Sequence, residues 1–435
     1  MESEVATNLE WPGVPQGVES RTLRVRDLEM HMFEAGSKTD PLILLLHGFP
    51  EIAYSWRKVI LPLAKKRYHV VAPDQRCLGR TKPADPTAPG AARPVAFGDD
   101  PTPFKTTNMV HDVVALVFAL GHQNAECVIG HDAGATVAGY CALIRPDVFQ
   151  GVIFLSTPFT GPPALPFDVA DPTSTPTPPP AIFPATLVEG ALAKLDPPRK
   201  HYMLYYSTPQ ANEDVWHAPQ GLHAFFRGYF HIKSADWAGN DPHPIEATGE
   251  GLANMPHYYI MPRDANMAQV AQADAPSQQE VDEKSSRWLP DEELAVYVRE
   301  YERTGFQGGL NRYRAYTDPA LADELRLFSG MKIEKPSMYV SGRKDWGAYQ
   351  NPGALDKMME EACADMDEDS VLLLQGAGHW VQQEQPEVLV ERLMSLIKQL
   401  PGSISRAMST MLDRTQGIDF GSFFDLMKNK HVASA

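Results

Sequence analysis

The run Val128-Ile129-Gly130-His131-Asp132-Ala133-Gly134-Ala135-Thr136-Val137-Ala138 decides the fold. Apolar residues lead into Gly-x-Asp-x-Gly and then into small residues that suit a helix. That order makes a strand, a sharp turn and a helix, with one side chain presented where the strand ends. The two glycines let strand and helix close around a strained turn. A carboxylate stands where such a turn more often carries Ser. An Asp here also suits a helix N-cap, so its meaning depends on what else the chain brings to the same edge.

Working outward, residues 22–27 and 31–35 alternate like two short antiparallel strands. Residues 42–46 and 68–72 are continuous apolar runs, as strands covered on both faces are. Residues 56–64 and 106–120 read as helices, and 82–104 as a long loop rich in Pro, Gly and Asp. Residues 152–155 form another strand after the elbow. Strands alternating with helices predict an α/β fold with a mostly parallel, eight-stranded sheet and helices on both faces.

The alternation stops at Pro158. Residues 159–317 carry aromatic helical pieces at 201–206, 222–237 and 291–301. They also hold a Pro/Thr-rich stretch at 171–180 and a polar stretch at 268–286 that reads as a loop. This is the pattern of a helical cap inserted between sheet strands. Strands at 337–342 and 371–374 and helices at 352–362 and 386–400 then resume the α/β pattern. The expected organisation is core over 20–158 and 318–400, cap over 159–317, and a C-terminal tail over 401–435. The tail packs on the domain or on a second copy of the chain, as in a homo-oligomer.

Composition narrows the class. The chain has 435 residues and a net charge of -16, which argues against a nucleic-acid partner. It shows no basic-then-apolar leader and no run of 18 apolar residues, so no membrane span is expected. Four cysteines lack CxxC spacing; Cys127 and Cys141, on either side of the elbow, read as small buried hydrophobes. These features predict a reduced, cytoplasmic protein. His223, His231 and His257 have no metal-ligand spacing, and the glycines make neither a GxGxxG nor a Walker loop. Neither a metal nor a cofactor is expected.

Three groups follow strands in the order Asp132, Asp345, His379. Each lies at the sheet's carboxyl edge, where open α/β sheets place their sites. Nucleophile, acid, His is the α/β-hydrolase order. A carboxylate nucleophile attacks an electrophilic carbon and forms an ester. His379 would activate the water that cleaves it, and Asp345 would orient the imidazole. In His47-Gly48-Phe49-Pro50, the Phe49 N–H joins that of Ala133 as a candidate oxyanion hole.

His47-Gly48-Phe49-Pro50, Asp74-Gln75-Arg76-x-x-Gly79-Arg80-Thr81, Gly130-His131-Asp132-Ala133-Gly134 and Gly378-His379-Trp380 together resemble the epoxide hydrolases of the α/β-hydrolase superfamily. The resemblance runs from about residue 23 to 400. Phe306-Gln307-Gly308-Gly309-Leu310-Asn311-Arg312-Tyr313-Arg314 is similar to the family's cap segment that carries a tyrosine at the Tyr313 position. Tyr202-Met203-Leu204-Tyr205-Tyr206 is similar to the segment of the second cap tyrosine, at Tyr202, with Tyr205 and Tyr206 as rivals. The resemblance implies that two phenols bind the epoxide oxygen. A phenol with a pKa near 10 stays neutral at pH 7 and donates to a developing alkoxide.

Three departures stand out. Ala133 replaces a frequent Trp and leaves room beside Asp132 for a bulkier substrate. Met203 replaces a frequent Gln, and Cys77-Leu78 a Gly-aromatic pair. His47, Met203, Trp346 and Trp380 are assigned to the substrate pocket; Trp237 and Trp288 read as cap packing or pocket lining. The expected activity converts a lipophilic small-molecule epoxide to a vicinal diol through an ester on Asp132. The alternatives are a haloalkane or haloacid dehalogenase with the same nucleophile and a non-catalytic binding protein on this scaffold. Neither Phe49 nor Ala133 supplies the halide donors a dehalogenase needs.

Overall fold

A computed structural model describes residues 10–165 and 185–400. The Pro/Thr-rich stretch 171–180 and the tail 401–435 lie outside the described residues. The main sheet has eight strands: β1 (Glu19–Val25), β2 (Leu28–Ala35), β3 (Leu42–Leu46), β4 (His69–Pro73), β5 (Cys127–His131), β6 (Val152–Leu155), β7 (Ser337–Gly342) and β8 (Val371–Leu374). Their spatial order is β1-β2-β4-β3-β5-β6-β7-β8, and a two-residue strand, Lys82–Pro83, adds to β2. The strands from β4 to β8 run parallel. The first two are antiparallel to each other, and β2 is antiparallel to β4.

Side-chain alternation explains why β3 to β6 read as unbroken apolar runs. Ile43, Leu45, Ile129 and Ile153 face one layer, with Val59, Ile60 and Leu63 of helix α1 (Arg57–Ala64). Leu42, Leu44, Val128, Val152 and Phe154 face the other. There they meet Val110, Val113 and Val117 of α2 (Thr106–Ala119) and Ala135, Ala138 and Ala142 of α3 (Ala133–Ile144). A strand buried on both faces has no polar position to spare.

Between β6 and β7 the described residues add no strand to this sheet. The insertion contains α4 (Tyr202–Tyr206), α5 (Leu222–Lys233), α6 (Asp291–Thr304) and α7 (Gln307–Thr317), with shorter helices and a two-stranded ribbon of Arg199–His201 and Ile260–Pro262. Phe226 and Phe230, four apart on α5, meet Tyr301 and Tyr297 of α6, with ring centroids 5.3 and 5.1 Å apart. Aromatic pairs at this spacing and separation hold two helices face to face. Arg57 of α1 forms a buried ion pair with Glu293 of α6, which ties the insertion to the core.

The polar stretch at 268–286 is not a loop. It contains helices Met267–Ala273 and Gln278–Glu283, each opened by a capping box, Asn266 with Gln269 and Ser277 with Glu280. Both signatures are visible in the sequence. The helix expected at 222–237 ends at Lys233, and that at 352–362 is a short α-turn, Ala354–Lys357, continued by a π-turn to Ala362. Among the described residues, no helix is long and apolar enough to cross a membrane.

Candidate active site

Asp132 sits between β5 and α3 with φ 51° and ψ -122°. Such a backbone is costly for a side chain other than glycine and marks a functional turn. Its neighbours must therefore be small. A Cβ on Gly134 would stand 2.4 Å from the Leu46 carbonyl oxygen, and one on Gly48 would stand 2.4 Å from the Asp132 Cβ. The glycines around the turn are thus demanded by close approach.

The Phe49 N–H donates to Asp132 Oδ1 at 3.0 Å. The other oxygen, Oδ2, lies 3.5 Å from His379 Nε2. This is a charge contact too long for a good hydrogen bond, and Nε2 has no hydrogen-bond partner among the described residues. On its far side, His379 Nδ1 is 3.1 Å from Asp345 Oδ1. Asp345 is fixed in turn by the Gly347 N–H and the Ser341 hydroxyl, each at 2.8 Å. The structure thus brings Asp132, His379, Asp345 and Phe49 together, with Ala133 opening α3 beside them.

Charges in this cluster shift each other. Burial works against ionised Asp132, but His379 and then Lys233 hold its pKa well below the usual carboxylate range. Burial likewise opposes ionised Asp345, and His379 together with the Gly347 N–H overcomes it. For His379, burial disfavours the cation, yet Asp345 and Asp132 raise its pKa to about 9. Neighbouring opposite charge outweighs desolvation at all three groups.

The loop bearing His379 is clamped. Its N–H donates to the Lys233 carbonyl at 2.8 Å. Its carbonyl accepts from His131 Nε2 at 2.8 Å and from the Ser156 hydroxyl at 3.0 Å. The Glu384 carboxylate accepts from the N–H groups of Gly378, Trp380 and Ala235.

A cavity of about 290 Å³ opens over Asp132, lined by Phe49, Ala133, Tyr202, Met203, Arg312 and Tyr313 among others. That is the size of a small ligand pocket. Tyr202 and Tyr313 both reach it, with ring centroids 5.9 Å apart. Burial, and next the Asp132 charge, raise both phenol pKa values well above normal, so both keep their protons. Tyr205 points away and donates to Asp214 at 2.9 Å. Tyr206 lies behind the cavity wall, its hydroxyl 3.4 Å from that of Tyr229.

The other expected pocket residues divide. Met203 lines the cavity, but His47, Trp346 and Trp380 do not. The two nitrogens of His47 are taken by the Gly48 carbonyl and the Gln75 N–H. Trp380 is buried under His379, its indole N–H donating to the Phe230 carbonyl at 2.8 Å. Trp346 is buried against His243. Each follows or precedes a site residue in the chain, and the backbone turns its side chain elsewhere.

Two residues escaped the sequence reading. Lys233 is buried with its ammonium over the rings of Tyr259, Tyr258, Tyr229 and Tyr202, 4.5 to 5.9 Å from their centroids. Burial pulls its pKa to about 8, against the attraction of Asp132 and Asp345. Arg312 reaches the elbow from α7 and donates from Nη2 to the Ala133 carbonyl at 2.9 Å. The space beside Ala133 is thus shared by the cavity and a guanidinium.

Residues 41–201 match the family model of the alpha/beta hydrolase fold. Epoxide hydrolase A of Mycobacterium tuberculosis is 29% identical over 386 residues, covering 87% of this chain and 96% of its own. Epoxide hydrolase 3 of Siraitia grosvenorii is 26% identical, covering 85% and 95%. Among solved structures, potato (Solanum tuberosum) epoxide hydrolase I is 29% identical with a TM-score of 0.62, over 88% of this chain and all (100%) of that one. The chain has the α/β-hydrolase fold. Its similarity to epoxide hydrolases, in sequence and in fold, extends over most of its length.

Proposed function

We propose that this enzyme opens epoxides to vicinal diols by way of an ester on Asp132. The observation that carries the reading is the convergence of Tyr202 and Tyr313 on a cavity whose floor is an ionised aspartate. Phe49 holds Oδ1, so Oδ2 is the attacking atom. It bonds to an epoxide carbon as that carbon's bond to the ring oxygen breaks. The oxygen's new charge is met by the two phenols, and a proton taken up there leaves a hydroxyl. No cofactor enters the sequence.

The ester is then cleaved by water. His379 takes a proton from the water as it attacks the Asp132 carbonyl carbon. The Phe49 and Ala133 N–H groups stabilise the resulting oxyanion, the kind of contact worth about 3 kcal/mol per donor. As that intermediate collapses, the His379 proton passes to the departing oxygen, which releases the diol and restores Asp132. Asp345 holds the imidazole so that Nε2 faces the ester. The insertion serves as the cap, contributing both phenols, and residues 159–317 are its proposed extent. The natural substrate is a small molecule with an apolar portion, matched by Phe104, Met109, Val137 and Phe159 on the cavity wall.

The test is a single turnover in labelled water with a panel of aryl and alkyl epoxides. Label must enter Asp132 before the diol. In parallel, His379→Gln should stall after alkylation, and the ester should be visible as added mass on the peptide containing Asp132. Absence of diol across the panel refutes the epoxide reading. Direct labelling of the diol refutes the covalent step. Halide release from haloalkanes or haloacids would move the protein to the dehalogenases.

A further inference from the structure

The cavity wall has an unusual charge balance. Among the described residues Asp132 is its one carboxylate, while Arg312 and Lys357 are both cationic. Lys357 is half exposed and stands at the rim, with Glu361 4.0 Å away. Arg312 is different. Among the described residues it has no carboxylate within ion-pair distance, and its buried Nη1 has no hydrogen-bond partner. Burial lowers its pKa, opposed chiefly by the more distant Asp132.

A desolvated cation without a counter-ion is expensive to hold. Tying the insertion to the Ala133 carbonyl requires one neutral donor, such as an amide. A guanidinium with a spare fork is suited to a second task, the capture of an oxyanion. Its position narrows which anion. It is anchored on the residue that follows the nucleophile and precedes Tyr313 in α7. Asp132, Ala133 and Arg312 line one cavity, so an anionic group bound by Arg312 shares that cavity with the carbon under attack. Such a substrate would otherwise be repelled by the ionised Asp132, and Arg312 offsets that repulsion from the same cavity wall.

We propose that the substrate carries a carboxylate adjacent to its epoxide ring, a 2,3-epoxy acid, and that Arg312 binds this carboxylate. The apolar wall takes the group on the other ring carbon, and Lys357 draws the acid to the rim. This inference rests on the epoxide reading for the reaction, but the carboxylate subsite can be tested without turnover.

The decisive comparison is 3-phenylglycidate against its neutral methyl ester. The wild type should prefer the acid in kcat/KM, and Arg312→Gln should reduce the acid-to-ester ratio roughly 10- to 100-fold, mainly through KM. Arg312→Lys should restore part of it. A purely structural tie to Ala133 would lower both substrates alike and leave the ratio unmoved, and that result overturns the proposal. A second measurement uses unreactive ligands. Cinnamate should bind the wild type more tightly than cinnamyl alcohol, and Arg312→Gln should erase the difference; equal binding to the wild type overturns the subsite. If cinnamate discrimination holds while no epoxide is turned over, the reaction assignment fails and the carboxylate subsite stands.

Discussion

His379 Nε2 lies 3.5 Å from Asp132 Oδ2, close enough for the two charges to set each other's protonation. The imidazole, with a pKa near 9, is protonated at neutral pH while Asp132 is ionised. A protonated imidazole cannot accept a proton from water. In the proposed reaction, esterification of Asp132 would remove one of the charges that raise its pKa, so the first step would itself make the base for the second. Asp132→Asn mimics that neutral state. Its His379 should titrate at a lower pH than wild type by about one pH unit or more, read from the imidazole ring protons by NMR. A value still near 9 would show that Asp345 alone governs the base.

The two cavity phenols should act jointly. Tyr202→Phe and Tyr313→Phe should each slow alkylation roughly 10- to 100-fold, and the double variant by about a thousandfold or more. Tyr205→Phe should keep the wild-type rate, because its hydroxyl is engaged by Asp214 away from the cavity. Rapid-quench measurement of ester formation separates these outcomes.

Lys233 should imprint its own titration on the rate. In its charged form it lowers the pKa of Asp132 and opposes protonation of His379. The groups around it are Tyr202, Tyr229, Tyr258 and Tyr259, with Asp132 and Asp345 acting on its charge. Its supporting charge is present below a pH of about 8 and lost above it. Asp132 stays ionised either way, so the effect falls on His379: the rate of ester hydrolysis should be held back as pH rises through that value. Lys233→Met should be slower at pH 7 and lack this limb, whereas Lys233→Arg should move it upward. An unchanged profile in Lys233→Met would remove the lysine from the mechanism.

Gly48 should tolerate no side chain. A Cβ there would meet Asp132 Oδ1 at 2.7 Å as well as Cβ. Gly48→Ala should cost about a hundredfold in kcat/KM, since misplacement of a reacting group by an ångström has that effect. Gly98→Ala, at a position with open space around it, is the matched control and should retain full activity. Thermal unfolding of both variants distinguishes lost geometry from lost fold.

What was readable in the sequence followed from local rules. Buried strands announce themselves as apolar runs, and a strand–Asp–helix turn bounded by glycine announces an elbow. Asp345 and His379 were legible as candidates because each lies within five residues of a strand's carboxyl end. The capped helices Met267–Ala273 and Gln278–Glu283 lie in a stretch whose overall polarity reads as a loop, although the Asn266–Gln269 and Ser277–Glu280 signatures mark where each begins. Trp346 and Trp380 were assigned to the pocket by adjacency in the chain, but consecutive side chains point in different directions. Lys233 and Arg312 come to the site from the insertion. Their positions depend on how it sits on the sheet, which no local pattern encodes.

One pair of contacts joins the insertion to the sheet's far edge. The carbonyls of Phe230 and Lys233, at the end of α5, accept from the Trp380 indole and the His379 N–H. The end of α5, in the insertion, is therefore fastened to the loop that carries His379. Any shift of the insertion on the sheet that broke these two bonds would also loosen the seat of the imidazole beside Asp345.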